Sequence, residues 1–268
     1  GHTGSGKSTL IQHLNGLLKP TSGTIDPAPD RDVRKKTGLV FQYPEYQLFE
    51  ETVAKDVAFG PKNLGMSGDE LDKAVKEALE LVGLPYDDFG RRSPFELSGG
   101  QKRRAAIAGV IAMKPEVLIL DEPMDGLDPV MRRQIWSIIL SKASENKTTI
   151  LISSHNLREL EDVCDHVGIM HHGKIMIERS LSDLQGNISK IQVACQNGVP
   201  KLPDDFEVLH MANTGRVYTL IVKGDPKEAE KVLLTENPTI VDVLPLTLEE
   251  IFIYELGGVD YEVKDMLL

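Results

Sequence analysis

Cysteine is scarce in this sequence: Cys164 and Cys195 are the only two among 268 residues. They lie far apart and offer no metal-ligand spacing, so we expect two core or surface thiols in a reducing compartment. Long apolar runs are missing too, and none approaches the roughly 20 residues that a helix needs to cross a bilayer. The longest apolar stretches, such as VLIL at 117–120, predict buried strands instead.

Basic residues are outnumbered by acidic ones. The chain carries 30 Lys and Arg against 41 Asp and Glu, a formal net charge of -11. This balance argues against a nucleic acid held mainly through its phosphates, although it leaves room for a local basic patch. Hydrophobic residues make up 41% and charged residues 26%, which is ordinary for a folded globular protein.

The first 180 or so residues alternate helical patterns with short apolar runs, which is typical of an α/β fold. Helices are predicted at 9–18, 68–82, 101–113 and 130–143, strands at 37–42, 116–121 and 148–154, and a hairpin at 167–178. The continuous apolar runs at 116–121 and 148–154 predict parallel strands that are buried on both faces.

The pattern changes near 184–189, where a small α+β region of about 80 residues is expected to begin. Its predicted elements are strands in 190–195, 206–211 and 216–223, a helix at 226–235, a strand at 239–243 and a helix at 247–256. We therefore predict a main domain at 1–186 and a small C-terminal α+β domain at 187–268.

The sequence GHTGSGKS at 1–8 matches the pattern of a phosphate-binding loop. Its glycines let backbone N–H groups turn inward toward phosphate oxygens, and the helix that follows presents its positive end to the same anion. Lys7 is expected to reach the β- and γ-phosphates, and the Ser8 hydroxyl is expected to bind Mg²⁺. The alternative interpretation is a glycine-rich turn with an exposed lysine.

Two carboxylates end the apolar strand VLILDEP at 117–123. Open α/β sheets bind ligands at the carboxyl ends of their strands, which is where Asp121 and Glu122 fall. Asp121 can hold Mg²⁺ through its water shell, and Glu122 can polarise a water for attack on the γ-phosphate. A solvent-exposed acidic strand end is the alternative.

A second anion site is predicted at LSGGQ, residues 97–101, because Ser98, Gly99 and Gly100 precede a predicted helix. One chain that binds one nucleotide needs only one such site. The economical explanation is that this site serves a nucleotide held by another subunit, so that two subunits enclose two nucleotides.

In this order and spacing, the motifs resemble those of ATP-binding-cassette (ABC) ATPases. The loop at 1–8 is similar to the family's Walker A motif, 117–122 to its Walker B motif, and 97–101 to its signature sequence. The resemblance implies a P-loop NTPase of the ABC type that binds ATP and Mg²⁺, with a helical subdomain at about 45–115.

The resemblance also implies roles for individual residues. Gln42 resembles the glutamine that contacts Mg²⁺ and the attacking water, His155 the histidine that contacts the γ-phosphate, and Asp128 the residue that faces the opposite subunit. The implied catalytic residues are Glu122, His155 and Gln42, and the implied metal ligands are Ser8, Gln42 and Asp121. The implied nucleotide-binding residues are Gly1, His2, Thr3, Gly4, Ser5, Gly6, Lys7, Ser8, Thr9, Ser98, Gly99, Gly100, Gln101 and Asp128.

Residues 1–129 look most like the ATPases of energy-coupling-factor systems, which take up vitamins or metal ions. The stretches 40–65 and 96–123 carry this likeness. In such proteins the segment after the glutamine lines a groove for a helix of the membrane partner, so Tyr46, Leu48 and Phe49 are expected to be exposed there. Burial of all three in the core is the alternative.

Residues 130–268 are more similar to ATPase subunits of exporters, which commonly end in a small α+β domain. The chain could therefore be a natural recombinant, an assembled chain or a divergent subfamily.

The sequence also starts at Gly1 without an initiator Met, so we expect a fragment or trimmed product that lacks the strands before the loop and binds ATP weakly.

The predicted function is that of an ATP-hydrolysing subunit of a membrane transporter, most like an uptake system of the energy-coupling-factor type. Its expected partners are a second ABC ATPase subunit, identical or different, and integral membrane subunits, with no nucleic acid. Its expected place is the cytoplasmic face of the membrane. An exporter subunit, a soluble ATPase that acts on ribosomes or DNA, and a regulatory module without turnover are the alternatives.

Overall fold

The computed structural model describes residues 4–26, 31–146, 148–195, 202–203, 206–235 and 237–256. The chain divides into two compact units, one of residues 1–155 with 170–174 and the other of residues 156–169 with 175–268. In the described part of the chain, no helix combines the length and the apolar character that a membrane span requires.

The sheet of the first unit has three parallel strands in the order β1-β2-β3. These are β1 (Thr37–Val40), β2 (Val117–Asp121) and β3 (Thr149–Ser153). Its helices are α1 (Lys7–Leu14), α2 (Arg31–Lys36), α3 (Val53–Asn63), α4 (Gly68–Leu81), α5 (Tyr86–Phe89), α6 (Gly99–Ile111) and α7 (Pro129–Asn146). The predicted helices and strands of this region are present, although α2, α3 and α5 had not been predicted.

Apolar side chains on both faces of β2 position the sheet among the helices. Leu118 and Leu120 belong to the main core with α3, α4, α6 and α7, whereas Ile119 packs on the opposite face against Ile11 of α1. Helix α4 has the amphipathic pattern expected of it, since Leu71, Ala74, Val75, Ala78 and Leu79 are its buried residues. The carboxyl end of β2 is thus fixed from both sides.

Strand β3 is less buried than its sequence predicts. Thr149 and Leu151 are exposed, and Leu151 keeps 40% of its surface. Leu151 pairs in register with Ile119, so it lies on the face that α1 covers. Among the described residues, the apolar cluster around α1 includes no side chain of β3, and Leu151 remains exposed on that face.

The segment after β1 forms a short 3₁₀ turn at Pro44–Gln47 and exposes two of its aromatic residues. Tyr46 and Phe49 are 85% and 57% exposed, as expected for a docking surface, but Leu48 is buried in the main core. The expectation for Leu48 was therefore wrong. The Leu48 side chain packs into the main core beneath the turn, whereas the Tyr46 and Phe49 side chains face solvent.

The second unit includes a four-stranded antiparallel sheet in the order β7-β8-β6-β9. Its strands are β6 (Ile188–Ala194), β7 (Glu207–Thr214), β8 (Val217–Lys223) and β9 (Ile240–Pro245), and the two longer helices are α10 (Pro226–Thr235) and α11 (Leu248–Leu256). Its other helices are α8 (Arg158–Glu161) and α9 (Leu181–Asn187), and a hairpin of β4 (His166–His171) and β5 (Lys174–Ser180) has its tip, 170–174, in the first unit.

Alternating side chains of β6 pack against different helices. Ile191 and Val193 share a cluster with Leu233 of α10, whereas Ile188 shares another with Ile251 of α11. The sheet therefore has a helix on each face, and the predicted C-terminal α+β fold is confirmed. The turn predicted at His172 and Gly173 is also present, between β4 and β5.

Candidate active site

The phosphate-binding loop leads directly into α1, as predicted. Gly4 and Gly6 have φ angles of 82° and 98°, and Gly6 is the N-cap residue of the helix. Glycine adopts this left-handed conformation without the strain that a Cβ brings. The loop residues Gly1, His2 and Thr3 lie outside the described residues.

Within the loop, Ser5 is 6% exposed, and its hydroxyl has no hydrogen-bond partner among the described residues. Ser8 and Thr9 stand in the first turn of α1, one and two positions after Lys7. The helix N-terminus, a buried hydroxyl donor and a lysine therefore occur together, and each of these groups favours a bound anion.

The carboxyl end of β2 holds Asp121 and Glu122 in different ways. Asp121 is 4% exposed, and its Oδ1 accepts a hydrogen bond from the Ser153 hydroxyl on β3 at 2.5 Å. Glu122 has a left-handed φ of 46°, and its N–H contacts both the carbonyl and the hydroxyl oxygen of Ser153 at 3.2 and 3.0 Å. Residues held in this sparsely populated region concentrate at functional sites.

The Glu122 carboxylate joins two other predicted site residues. Its Oε1 lies 3.2 Å from Lys7 Nζ, and its Oε2 lies 2.8 Å from His155 Nδ1. The backbone N–H of His155 also donates to Oε2 at 3.1 Å. The phosphate-loop lysine and the candidate γ-phosphate contact thus both bind the carboxylate of the candidate base, which is only 10% exposed.

Gln42 points its amide at the loop that follows Glu122. Gln42 Nε2 donates to Asp125 Oδ2 at 2.9 Å, and the Tyr43 hydroxyl donates to the same oxygen at 2.6 Å. These two hydrogen bonds lower the pKa of the Asp125 carboxyl, and the Asp125 carboxylate raises the pKa of Tyr43. Asp125 therefore remains an acceptor at neutral pH.

Ser98 and Gln101 cap α6 reciprocally. The Ser98 N–H donates to Gln101 Oε1 at 2.9 Å, and the Gln101 N–H donates to Ser98 Oγ at 3.4 Å. Beyond its chain neighbours and its own helix, a Cβ built on Gly99 would meet no described atom within 4 Å, whereas one on Gly100 would lie 2.5 Å from the Met131 side chain. Gly99 therefore faces open space, and Gly100 packs closely against α7.

Asp128 begins α7. Its Oδ1 accepts hydrogen bonds from the N–H groups of Val130 and Met131 at 2.8 and 3.0 Å. This is the geometry of an N-cap, and it gives the Asp128 side chain a structural partner within its own chain.

Comparison with known proteins shows which family this chain resembles. A family described as "ABC transporter" matches residues 1–125. The energy-coupling factor transporter ATP-binding protein EcfA2 of Clostridium acetobutylicum is 52% identical over 201 residues, which cover 72% of this chain and 70% of that protein. The chain is an ATPase of the ABC transporter family. Because 72% of its residues are covered, the similarity to this relative continues beyond residue 129.

Solved ABC structures share the fold. CbiO1 from Clostridium perfringens, described as part of the ABC transporter complex cbiONQ, is 38% identical with a TM-score of 0.61, over 69% of this chain and 76% of that one. The ATP-binding cassette MJ0796, solved as a dimer in a post-hydrolysis state with ADP and Pi, is 29% identical with a TM-score of 0.58, over 67% and 82%. The fold-class prediction is confirmed.

The candidate metal ligands of this ABC ATPase have suitable chemistry for Mg²⁺. Asp121, Ser8 and Gln42 would offer a carboxylate, a hydroxyl and an amide oxygen, and Mg²⁺ prefers such hard donors together with phosphate oxygens and water. The Ser153 hydroxyl orients the buried Asp121 carboxylate, as partners of metal ligands commonly do. No group of three or more His, Cys, Asp and Glu suited to a metal occurs in the described ranges.

The sequence did not predict a second set of interacting residues, which lies beside the candidate active site. Arg103 of α6 is 2% exposed and binds the Glu45 carboxylate with two hydrogen bonds of 2.9 and 3.0 Å. Its Nη1 also donates to the Asp125 carbonyl at 2.7 Å. A buried arginine two residues after a signature sequence is a signal for such a role, but its partners lie 58 and 22 residues away.

Proposed function

We propose that this chain hydrolyses ATP to power a membrane transporter, most closely an energy-coupling-factor system that takes up a vitamin or metal ion. The meeting of Lys7 and His155 at the Glu122 carboxylate is the observation that carries this proposal. The names of the relatives support the transport role, because they describe ATP-binding proteins of energy-coupling factor transporters.

ATP binding would begin with an exchange of ionic partners at Lys7. Its ammonium group lies beside the Glu122 carboxylate, and the β- and γ-phosphates offer more negative charge at the same N-terminal end of α1. When Lys7 moves to the phosphates, Glu122 loses a cation and becomes available to a water molecule.

Hydrolysis would then use Glu122 as general base. Its carboxylate accepts a proton from water as the water oxygen attacks the γ-phosphorus, and the bond between that phosphorus and the oxygen of ADP breaks. His155 Nδ1 is hydrogen-bonded to Glu122 Oε2, and we propose that the imidazole also contacts the γ-phosphate. Mg²⁺ bound through Ser8, Gln42 and Asp121 would neutralise charge on the phosphate oxygens.

A second ABC subunit, identical or different, would complete the site. Ser98, Gly99 and Gly100 stand at the N-terminus of α6. Beyond its chain neighbours and its own helix, no described atom lies within 4 Å of a Cβ at Gly99 that could obstruct an approaching phosphate. We therefore propose that they cap a γ-phosphate held by the partner. The dimer of MJ0796 supports this arrangement, since that cassette was solved as a dimer with ADP and Pi.

Tyr46 and Phe49 are the proposed docking surface for a membrane subunit at the cytoplasmic face. The Phe49 ring packs edge-on against Phe59 at 4.9 Å between centroids, and all three aromatic residues are exposed. Exposed aromatic residues that adjoin one another are typical of interaction sites.

The boundary between the main domain and the C-terminal domain at residues 186 and 187, with a helical subdomain at about 45–115, remains a prediction.

Two experiments test the proposed function. Purified protein should hydrolyse ATP, and Glu122→Gln should lose turnover while it retains ATP binding. Purification from membranes should then recover integral membrane subunits, whose identity separates an uptake system from an exporter. Recovery of ribosomes or DNA instead, without membrane subunits, would contradict the transport role.

A further inference from the structure

The Asp125 side chain connects two parts of the candidate site that lie far apart in sequence. Its Oδ2 accepts hydrogen bonds from Gln42 Nε2 at 2.9 Å and from the Tyr43 hydroxyl at 2.6 Å, across 83 and 82 residues. Asp125 follows the candidate metal ligand Asp121 by four positions. The loop that follows the candidate ligand Asp121 therefore binds the side chain of the candidate ligand Gln42.

The chemistry of this contact decides which end of the Gln42 amide is left for a cation. An ionised carboxylate only accepts hydrogen bonds, so the amide nitrogen must face Asp125. The amide oxygen is then directed away from Asp125, and oxygen is the atom with which glutamine binds Mg²⁺. Without the carboxylate, the amide could present either end because its terminal torsion is broad.

Asp125 is itself held in place by buried contacts. Its carbonyl oxygen accepts from Arg103 Nη1 at 2.7 Å, and Arg103 is fixed by its double hydrogen bond to Glu45. The same guanidinium lies over the Tyr43 ring at 5.7 Å from its centroid. Tyr43 adopts a left-handed φ of 54°, so its backbone conformation is also specialised.

We propose that Asp125 is a positioning residue that presents the amide oxygen of Gln42 to Mg²⁺ when nucleotide binds. The inference rests on the proposed function, because it assumes that Gln42 and a nucleotide share the cation. Asp125 itself contacts neither nucleotide nor metal in this account. Its loss should weaken the contribution of Mg²⁺ and leave the binding of the phosphates intact.

The test compares the affinity for a fluorescent, non-hydrolysable ATP analogue in Mg²⁺ and in EDTA, for the whole chain and its variants. Asp125→Ala should lose about tenfold of the gain in affinity that Mg²⁺ gives, the lower end of the effects seen for partners of metal ligands. Its affinity in EDTA should stay within about twofold of wild type. Asp125→Asn can donate as well as accept and no longer selects one end of the Gln42 amide, so it should lose part of the gain. Tyr43→Phe leaves the hydrogen bond between Asp125 and Gln42 in place and should retain the gain.

A double-mutant cycle distinguishes positioning from a general structural effect. In a Gln42→Ala background, Asp125→Ala should have no further effect on the Mg²⁺-dependent gain, because the group that it orients is gone. Thermal melting identifies any variant that fails to fold. If Asp125→Ala does not fold, Asp125→Ser replaces it in the cycle, because the shorter serine side chain also loses the hydrogen bond to Gln42.

Two negative results have different meanings. If wild type gains affinity in Mg²⁺ and Asp125→Ala gains as much, the positioning role is wrong and the proposed function stands. If the wild-type protein binds nucleotide no better in Mg²⁺ than in EDTA, the proposed function is contradicted, and this inference is contradicted with it.

Discussion

Lys7 and Glu122, which lie 115 positions apart in the chain, form an ion pair with 3.2 Å between Nζ and Oε1. Both side chains are nearly buried, at 12% and 10% exposure. The candidate phosphate-binding lysine and the proposed base therefore neutralise each other, and in the proposed mechanism ATP replaces Glu122 at Lys7 before Glu122 acts on water.

Glu122→Gln tests both parts of this exchange. The amide keeps the shape of the side chain but can neither accept a proton nor neutralise Lys7. Turnover should fall by about 10²–10⁴-fold, the usual contribution of a general base, while ATP binds at least as tightly as to wild type. Equilibrium binding and steady-state ATPase measurements check this prediction, and turnover within twofold of wild type would remove Glu122 from the role of base.

His155→Ala should reduce kcat more than it affects nucleotide affinity. The imidazole bonds the Glu122 carboxylate at 2.8 Å, so its loss affects both the orientation of the base and the contact to the γ-phosphate. We expect a fall in kcat of about 10²-fold or more. His166→Ala is the matched control, because that exposed histidine pairs with Asp165 and lies outside the site. Equal effects of both substitutions would contradict the role of His155.

Arg103→Met should destabilise the fold. The Arg103 and Glu45 side chains are 3% and 19% exposed, and removal of one partner from a buried ion pair costs about 3 kcal/mol or more. Lys55→Met is the control, because it breaks a solvent-exposed pair with Glu51, and such pairs contribute little to stability. Urea denaturation measures both, and equal midpoints would show that the Arg103 pair contributes little.

The sequence predicts those features of the site that depend on short segments. The strand that carries Asp121 and Glu122 was evident because a continuous apolar run ended in two carboxylates, and α4 was evident from its 3.6-residue periodicity. The capped glycines at Ser98 could likewise be placed at a helix N-terminus from local pattern alone.

Features that depend on contacts between distant segments were not predictable. Nothing local distinguishes Asp125, which the chain brings to Gln42 across 83 residues, or Arg103, which reaches Glu45 across 58. The burial of Leu48 between two exposed aromatic residues depends on the core beneath it, and the exposure of Leu151 depends on which side chains of other segments pack on that face of the sheet.

Gly99→Ala offers a direct test of the two-subunit site. A Cβ at Gly99 meets no atom within 4 Å in the described structure, so the substitution should not impair folding of the single chain. It should obstruct the close approach of a backbone N–H to a phosphate held by a partner. The variant should bind ATP in its own phosphate loop as wild type does, yet have little turnover.

Sedimentation velocity with and without ATP tests whether two subunits share the nucleotide, using Glu122→Gln so that the nucleotide is not consumed. We expect Glu122→Gln to shift from monomer to dimer when ATP is added, and Glu122→Gln with Gly99→Ala to bind ATP but remain monomeric. If the nucleotide-loaded protein stayed monomeric at every concentration while wild type hydrolysed ATP, or if Gly99→Ala dimerised equally well, the shared site would be contradicted.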